Sequence, residues 1–472
     1  MTTTAVTPKL TSPGRQERYS VMVQRARGLL QFLLVGLVLM GILTTVVSFL
    51  AVQDALERYR KIVADSAVSA DAAQGARSAL LAHHSEAADY LSQQGTDAAA
   101  QSLDESRRSW RLYQEEVRNL WQNRSDRLYG EYAVFEAADQ ATLRYKADID
   151  AMVAFVAVGE VERAKTAFLE SHQTLVQEVI PALNGLESVK LESMEESYAT
   201  TSAALTNWQQ ALMVVGGLMV LLLLLALGVT RFWMHYGWTW ELAVASVLGI
   251  VLFAWLNFTL FFAAQDVKVL VRDAYDTISG IQAVEALLTQ TDAMENMAIF
   301  DRGQATGFLR DADQYLFLLE QQLCGELACT DTPFNNGGSM RSDVIETAQR
   351  GQSKYSLPRT PLVANATFEG EAQALEELRG AIQRFRQAND RLGQDLSAGN
   401  ASEEYRTASE GAYKAAREAA RKERGIVRDR FETIHENVTT TMEINRWLAF
   451  AFTALSLLGF WGLRRRREAL FP

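Results

Sequence analysis

Three arginines with the chemistry of an anion site lie close together in the first third of the chain: Arg107, Arg108 and Arg111. They alternate with Trp110 and Tyr113 on a segment whose pattern is helical. Guanidinium groups form strong paired hydrogen bonds with carboxylates, so the cluster predicts a site for an anionic ligand. The alternative interpretation is a solvated helix face, which is what most runs of charge turn out to be.

The histidines lack the spacing of a catalytic or metal site. His83 and His84 are adjacent, so on a helix they point in different directions. A zinc hydrolase motif has two histidines four positions apart with a glutamate between them, and the sequence has none. It also has no glycine-rich phosphate loop and no nucleophile elbow. His172 falls on an apolar seam and is predicted to be a hydrogen-bonded interior residue. We therefore expect no enzymatic activity, no cofactor and no metal.

The two cysteines of the chain, Cys324 and Cys329, lie in the segment Cys-Gly-Glu-Leu-Ala-Cys. An oxidising compartment favours pairing, so a small disulfide loop is predicted, and two free thiols are the alternative. The stretch from about 324 to 368 also contains Asn-Asn-Gly-Gly at 335–338 and three prolines, which is typical of turns. This stretch is either a surface for a partner or a loop without a specific role.

Four apolar runs dominate the hydropathy pattern, at residues 29–52, 211–230, 242–264 and 447–463. A helix that crosses the ~30 Å hydrocarbon core needs roughly 17–25 apolar residues. The first run is longer than the roughly 7–15 apolar residues of a secretory signal, so it is predicted to be retained. The sequence therefore predicts a four-pass membrane protein.

Basic residues near the ends of these runs predict the orientation. The N-terminal segment has five basic residues and one acidic residue, the central turn contains Arg231, and the tail contains Arg464, Arg465, Arg466 and Arg467. Because short cytoplasmic segments are enriched in lysine and arginine, both termini are predicted to be cytoplasmic, in a bacterial inner (cytoplasmic) membrane. The stretches 53–210 and 265–446 would then face outward.

The sequence also contains an internal repeat, in which the second half follows the pattern of the first. Matching positions are separated by 207 or 208 residues early and by 239 or 240 residues late, so about 32 residues have been added to the second copy. The matched pairs are Leu80-Leu81 with Leu287-Leu288, Gly95 with Gly303, Gly159 with Gly399, and Trp208 with Trp447.

Helical patterns occupy both outward stretches. In the first, helices are predicted near 53–93, 97–125, 130–157 and 160–210, with breaks at Gly95, around 123–130 and at Gly159. Apolar residues at heptad spacing predict seams that pack in a bundle.

The expected fold is all-α, with four transmembrane helices carrying two extracytoplasmic up-down four-helix bundles that arose by internal duplication. The predicted segments are a basic cytoplasmic N-terminus (1–28), TM1 (29–52), bundle 1 (53–210), TM2 (211–230), a cytoplasmic turn (231–241), TM3 (242–264), bundle 2 with an insertion at about 324–368 (265–446), TM4 (447–463) and a basic cytoplasmic tail (464–472).

Two short segments of the first bundle carry a family resemblance. They are Tyr-Lys-Ala-Asp-Ile-Asp-Ala-Met from Tyr145 and Gly-Glu-Val-Glu-Arg-Ala-Lys from Gly159, and Asn-Ala-Ser-Glu-Glu-Tyr-Arg-Thr-Ala from Asn400 is a looser second copy. They resemble the end of the third helix and the start of the fourth in the four-helix-bundle sensor domain of bacterial chemoreceptors and sensor kinases. Members of that family continue after the membrane into an output module, whereas nine residues follow Leu463 here, so any signal is expected to leave through another protein.

The architecture is also similar, in topology alone, to actinobacterial four-pass sensors that work with a lipid-anchored glutamine-binding protein and a soluble serine/threonine kinase. These resemblances imply a membrane sensor or signalling adaptor that detects an external ligand or binding protein. Its signal would pass through the membrane helices to a separate cytoplasmic partner. The alternative is a structural or assembly protein of a membrane or envelope complex.

The expected partners follow from this interpretation. They are membrane lipid, a cytoplasmic signalling protein and an extracytoplasmic solute-binding protein, and a homo-oligomer is compatible with the sequence. The net charge of -11 argues against nucleic acid. Inside the membrane, Gly216 and Gly217 are predicted to allow close helix packing, and Asn257 is predicted to hydrogen-bond another span.

Overall fold

A computed structural model describes residues 13–63, 68–122, 129–233, 240–269, 275–324, 362–366, 368–398 and 403–470. Every regular element within these ranges is helical, as the sequence predicts, and they contain no strand. The α-helices are α1 (Pro13–Arg60), α2 (Val68–Ser92), α3 (Asp97–Gln122), α4 (Tyr129–Ala157), α5 (Val161–Thr174), α6 (Ile180–Gly228), α7 (Trp240–Lys268), α8 (Tyr275–Phe300), α9 (Ala305–Cys324), α10 (Glu371–Ser397), α11 (Glu403–Leu448) and α12 (Ala451–Leu470).

The breaks predicted at two glycines are confirmed. Gly95 and Gly159 have φ angles of 80° and 78°, in the left-handed region where a side chain is disfavoured, and each ends a helix. The helix predicted over 160–210 begins as α5 and continues through a π turn, Leu175–Val179, into α6. This wider turn precedes Pro181, which has no backbone N–H to donate. The helix predicted over 53–93 is described as two helices, α1 and α2.

The described residues form two compact units, with boundaries at Tyr59/Arg60, Ala199/Thr200, Asp266/Val267 and Glu436/Asn437. We call the unit that contains the four apolar runs the apolar unit. We call the other the polar unit, and we call its residues 60–199 the first half and its residues 267–436 the second half.

The apolar unit contains the segments that are suited to a lipid environment. Four helices in the described part of the chain are long and apolar enough to cross a membrane. Their buried faces meet in one cluster, to which Leu37, Leu223, Leu242 and Leu463 belong. Many large apolar side chains of the same helices point outward instead, as expected for surfaces solvated by lipid. The fourth span has a turn at residues 449–450, between α11 and α12.

Polar contacts also connect helices of the apolar unit, and one of them is the 2.8 Å hydrogen bond from the indole N–H of Trp208 to Asp54. The indole N–H of Trp255 donates to Asn445 at 2.9 Å. Thr45 and Thr453 share a hydrogen bond of 2.7 Å. An ion pair of 3.1 Å joins Arg465 to Glu241, whose side chain is buried. Each contact satisfies a polar group that is costly to leave unpaired away from water.

The polar unit has a hydrophobic core in each half. The first core is built by helices α2 to α6, around Tyr145 and Phe168, and the second by α8 to α11, around Phe385. Ala286 and Met297 of α8 belong to the first core, so the halves are packed against each other. Polar side chains also bond across the boundary: Gln74 to Ser279, Gln282 to Asp71, Ser85 to Asp292, and Lys165 to Asp301.

Candidate ligand-binding site

The predicted arginine cluster lines an open cavity of about 530 Å³ in the first half of the polar unit. Arg107, Arg108 and Arg111 project from the exposed face of α3, because Ser106 and Tyr113 occupy its buried face. Helix α2 and helix α4 supply the remaining walls. The structure thus brings the three arginines together on one concave surface, which we call the basic cavity.

A fourth cation, Lys146 of α4, completes the basic cavity. Its ammonium group lies 5.4 Å from the centre of the Trp110 ring, a cation–π arrangement. Two acids also line the cavity: Asp150, which pairs with Lys146, and Asp104, 3.5 Å from Arg107. Four cations therefore face two anions, which leaves the wall net basic. The sequence analysis missed Lys146 because nothing local connects it to α3.

His83 forms part of the floor of this cavity. Its Nδ1 atom lies 2.9 Å from the carbonyl oxygen of Ser106 and 2.6 Å from the hydroxyl oxygen of the same residue. Burial lowers the pKa of His83 to about 4, so the ring is neutral at pH 7. A neutral ring adds no charge to the cavity, so the anion-attracting groups are the arginines and Lys146.

His84 points away from the basic cavity into the first core. Its Nε2 atom lies 3.0 Å from Nδ1 of His172, and its ring stacks on Phe168 with centroids 4.6 Å apart. His172 is thus hydrogen-bonded in the interior, as predicted. Burial also lowers the pKa of His84. In the described residues, no three histidine, cysteine, aspartate or glutamate side chains are arranged to hold a metal ion.

Buried carboxyl groups cluster where α2 meets α8, a feature that the sequence analysis missed. Asp292 accepts a hydrogen bond from Ser85 across the boundary between the halves. Burial raises the pKa of Asp292 to about 7 and that of Glu86 to about 8, and it also raises the pKa values of Asp89 and Glu295. Nearby acidic side chains raise all four pKa values further. These groups therefore favour the protonated form, which costs less to bury.

A buried ion pair lies in the first half. Arg77 of α2 donates to Glu187 of α6 at 3.1 Å and to Asn184 at 2.8 Å, and both charged side chains are almost fully buried. Gln74 donates to the same glutamate and also to Ser279 of the second half. One polar network therefore connects α2, α6 and α8.

The predicted packing residues of the membrane spans have different surroundings. At Gly216, an added Cβ atom would come within 2.7 Å of the Phe253 ring, so the glycine permits this close approach. At Gly217, a Cβ atom would meet nothing within 4 Å. Asn257 donates to the carbonyl oxygen of Phe253 on its own helix, at 2.9 Å.

The predicted disulfide is not tested by the described residues. Cys324 is the last residue of α9, whereas Cys329 and most of the predicted insertion lie outside the described ranges.

Fold and sites together define a class: an all-α protein whose four membrane-capable helices indicate a multi-pass membrane protein. No protein-family model, curated protein or solved structure matches this chain.

Proposed function

We propose that this protein is a membrane sensor or signalling adaptor. Its polar unit detects an external ligand or binding protein, and its membrane helices relay that state to a separate cytoplasmic partner. The observation that carries the proposal is that α6 and α11 each contribute residues to both units. A continuous helix resists bending, so a shift or rotation of one part moves the other without a channel.

The proposed topology places both termini in the cytoplasm of a bacterium and the polar unit on the outer face of the inner membrane. Its support is the basic N-terminus, Arg231 and the basic tail. We further propose that the two halves arose by duplication as paired bundles. In support, Leu80 and Leu81 of α2 and their matched residues of α8, Leu287 and Leu288, are all buried.

The basic cavity is the proposed place for an anionic ligand. Arg107, Arg108 and Arg111 are solvent-exposed and reach it from one helix, so a carboxylate or phosphate group can approach them without unfolding. Tyr90 and Trp110 supply the less polar lining that a ligand body needs. A bound anion would draw α3 and α4 together through Lys146.

The proposed cytoplasmic contact is the basic tail. Arg465 is unsuitable as a target for mutation because it pairs with buried Glu241 of α7. Among the residues that the structure describes, Arg464 pairs with exposed Glu468 one turn later in α12, at 3.0 Å, and Arg467 lies one turn from Arg464. A variant with glutamine at 464 and 467 therefore removes charge from the tail and keeps the ion pair to α7.

The test is co-purification of tagged full-length protein in mild detergent, with mass spectrometry of the recovered proteins. We expect a cytoplasmic signalling protein, alone or with an extracytoplasmic solute-binding protein, and we expect the tail variant to lose only the cytoplasmic one. Glutamine at exposed Arg118 is the control and should lose neither. Recovery of a large envelope assembly alone would replace the sensor role with a structural one. Size-exclusion chromatography of the same sample reports whether the protein is a homo-oligomer.

A further inference from the structure

A second cavity, of about 580 Å³, lies between the two halves of the polar unit. Helices α2 and α3 of the first half form one wall, and α8 and α11 of the second half form the other. We call it the interhalf cavity. It shares no lining residue with the basic cavity, and the sequence analysis gave no indication of it.

The α11 wall of the interhalf cavity carries a row of four arginines, which we call the arginine ladder. Arg417, Arg421, Arg424 and Arg428 recur every three or four positions, which places them on one helix face. Buried Glu285 of α8 accepts from Arg424 at 2.9 Å and lies 4.0 Å from Arg421.

Arg421 shares its carboxylate with another arginine of this ladder. Arg417 has Glu86 at 4.0 Å and Arg428 has Glu432 at 3.4 Å, whereas in the described part of the chain Arg421 lies 4.0 Å from Glu285, which Arg424 already holds at 2.9 Å. Its side chain is 55% exposed. It therefore has donors to offer to a carboxylate that enters the cavity.

The opposite wall is acidic. Asp71 of α2 accepts from Gln282 at 2.8 Å, and Glu116 of α3 accepts from Asn119 at 3.3 Å. In the described residues, neither carboxyl group has a basic side chain within 4.0 Å. Glu116 lies close to α2 because residue 75 is glycine, where a Cβ atom would be 3.1 Å from its carboxyl carbon.

The wall charges disfavour the binding of simple ions at this site. An anion drawn to the arginines would be repelled by Asp71 and Glu116, and a cation drawn to the acids would be repelled by the arginines. The same walls also contribute apolar side chains, among them Ala79, Leu112 and Phe431. The complement of this arrangement is a molecule with one ammonium end, one carboxylate end and an apolar middle.

We propose that the interhalf cavity binds a small zwitterion of this kind. Arg421, beside Arg424, receives the carboxylate, and Asp71 and Glu116 receive the ammonium group. Each end is held by a different half, so the ligand cross-links them. The site is separate from the basic cavity, and its occupancy is measured by binding, with no requirement that the protein signals.

The test is isothermal titration calorimetry of full-length protein in mild detergent. The probes are 6-aminohexanoate and 4-aminobutyrate as zwitterions, hexanoate as the anion alone and hexylammonium as the cation alone, all at one ionic strength. We expect at least one zwitterion to bind with a Kd below ~10 mM. Hexanoate and hexylammonium should each bind at least about tenfold more weakly, because each lacks one charged contact.

Two variants and two matched neighbours identify the site. Glu116→Gln and Arg421→Gln each remove one charged contact and should weaken zwitterion binding by about tenfold or more. Glu115→Gln and Arg430→Gln change exposed neighbours outside the cavity and should leave binding unchanged. Circular dichroism and the thermal midpoint without ligand show that each variant is folded.

Because the basic cavity is itself proposed to bind carboxylates, the probes are compared in an Arg107→Gln/Arg108→Gln/Arg111→Gln background, which removes the arginines of that cavity and leaves the lining of the interhalf cavity unchanged. The proposal is overturned if, in this background, no zwitterion binds, if hexanoate binds as tightly as 6-aminohexanoate, or if the cavity variants bind like their matched neighbours. Failure of the sensor role in co-purification would leave these titrations unaffected, so the two proposals fail separately.

Discussion

Removing one partner of the buried Arg77–Glu187 ion pair should destabilise the protein. Replacing both partners with apolar residues should change its stability very little. Glu187→Leu leaves the Arg77 guanidinium group without a carboxylate in an almost fully buried site, where, in the described part of the chain, the neutral amide oxygen of Asn184 still accepts a hydrogen bond from it. Breaking a buried ion pair in this way costs about 3–5 kcal/mol. Arginine cannot release its proton to escape the penalty, so the cost should be the same at pH 5 and pH 7.

Arg77→Met should behave differently, because the remaining carboxyl group can take up a proton. Neutralising a carboxyl group of ordinary acidity costs about 4 kcal/mol at pH 7 and about 1 kcal/mol at pH 5. The destabilisation is therefore capped near 4 kcal/mol at pH 7 and shrinks at pH 5. In the double variant no charge is left unpaired, so it should be more stable than Glu187→Leu at both pH values.

Thermal unfolding of the full-length protein in detergent, followed by circular dichroism, measures these effects. At roughly 2 °C per kcal/mol for a unit of this size, Glu187→Leu should lower the midpoint by about 6–10 °C. The exposed pair of Arg144 and Glu178 is the control, and its glutamine variants should change stability by about 1 kcal/mol or less. Additive single effects, or an Arg77→Met penalty that does not depend on pH, would refute the reasoning.

Three further predictions concern pH and packing. The pKa of Asp292 is raised to about 7, so its contribution to stability is full below pH 4 and is lost as the pH rises through 7. The thermal midpoint should therefore fall over this pH range, and Asp292→Asn should make the fall smaller. The pKa of His83 is lowered to about 4, so its contribution to stability is present above pH 6.5 and is lost as the pH falls towards 4. His83→Asn should reduce the loss of stability between pH 6.5 and pH 4. An unchanged dependence of the thermal midpoint on pH over this range would contradict the prediction. At Gly41, an added Cβ atom would overlap Ser456 of the fourth span. Gly41→Ala should therefore destabilise the detergent-solubilised protein by about 1–3 kcal/mol, whereas Gly217→Ala, with open space, should have little effect.

The helices were predictable because their signals are local. Apolar runs of sufficient length give the spans, and glycine at positions 95 and 159 gives the turns whose positive φ angles the structure confirms. The buried face of α3 also follows from spacing, since Ser106, Tyr113 and Leu120 recur every seven positions and all three are buried.

The contact between the halves was not predictable from the same signals. Helix α8 carries Ser279, Gln282, Glu285, Asp292 and Glu295, residue types that are mostly exposed in proteins, yet all five are buried. Their burial depends on partners on distant helices, and a single sequence contains no record of those distances. The interhalf cavity was missed for the same reason, because the lining residues of its two walls are at least 162 positions apart along the chain, from Glu116 to Ile278.

The hydrogen bond from Ser85 to Asp292 has a consequence for how the protein is made. The two residues are 207 positions apart, and ribosomes add about 5–20 residues per second, so roughly 10–40 s separate their synthesis. Throughout that interval, the polar face of α2 has no second half to cover it, although its own half can already collapse. A cell that makes this protein must therefore keep a half-finished surface from binding elsewhere, and a ribosome that stalls before α8 releases a fragment with that surface still exposed.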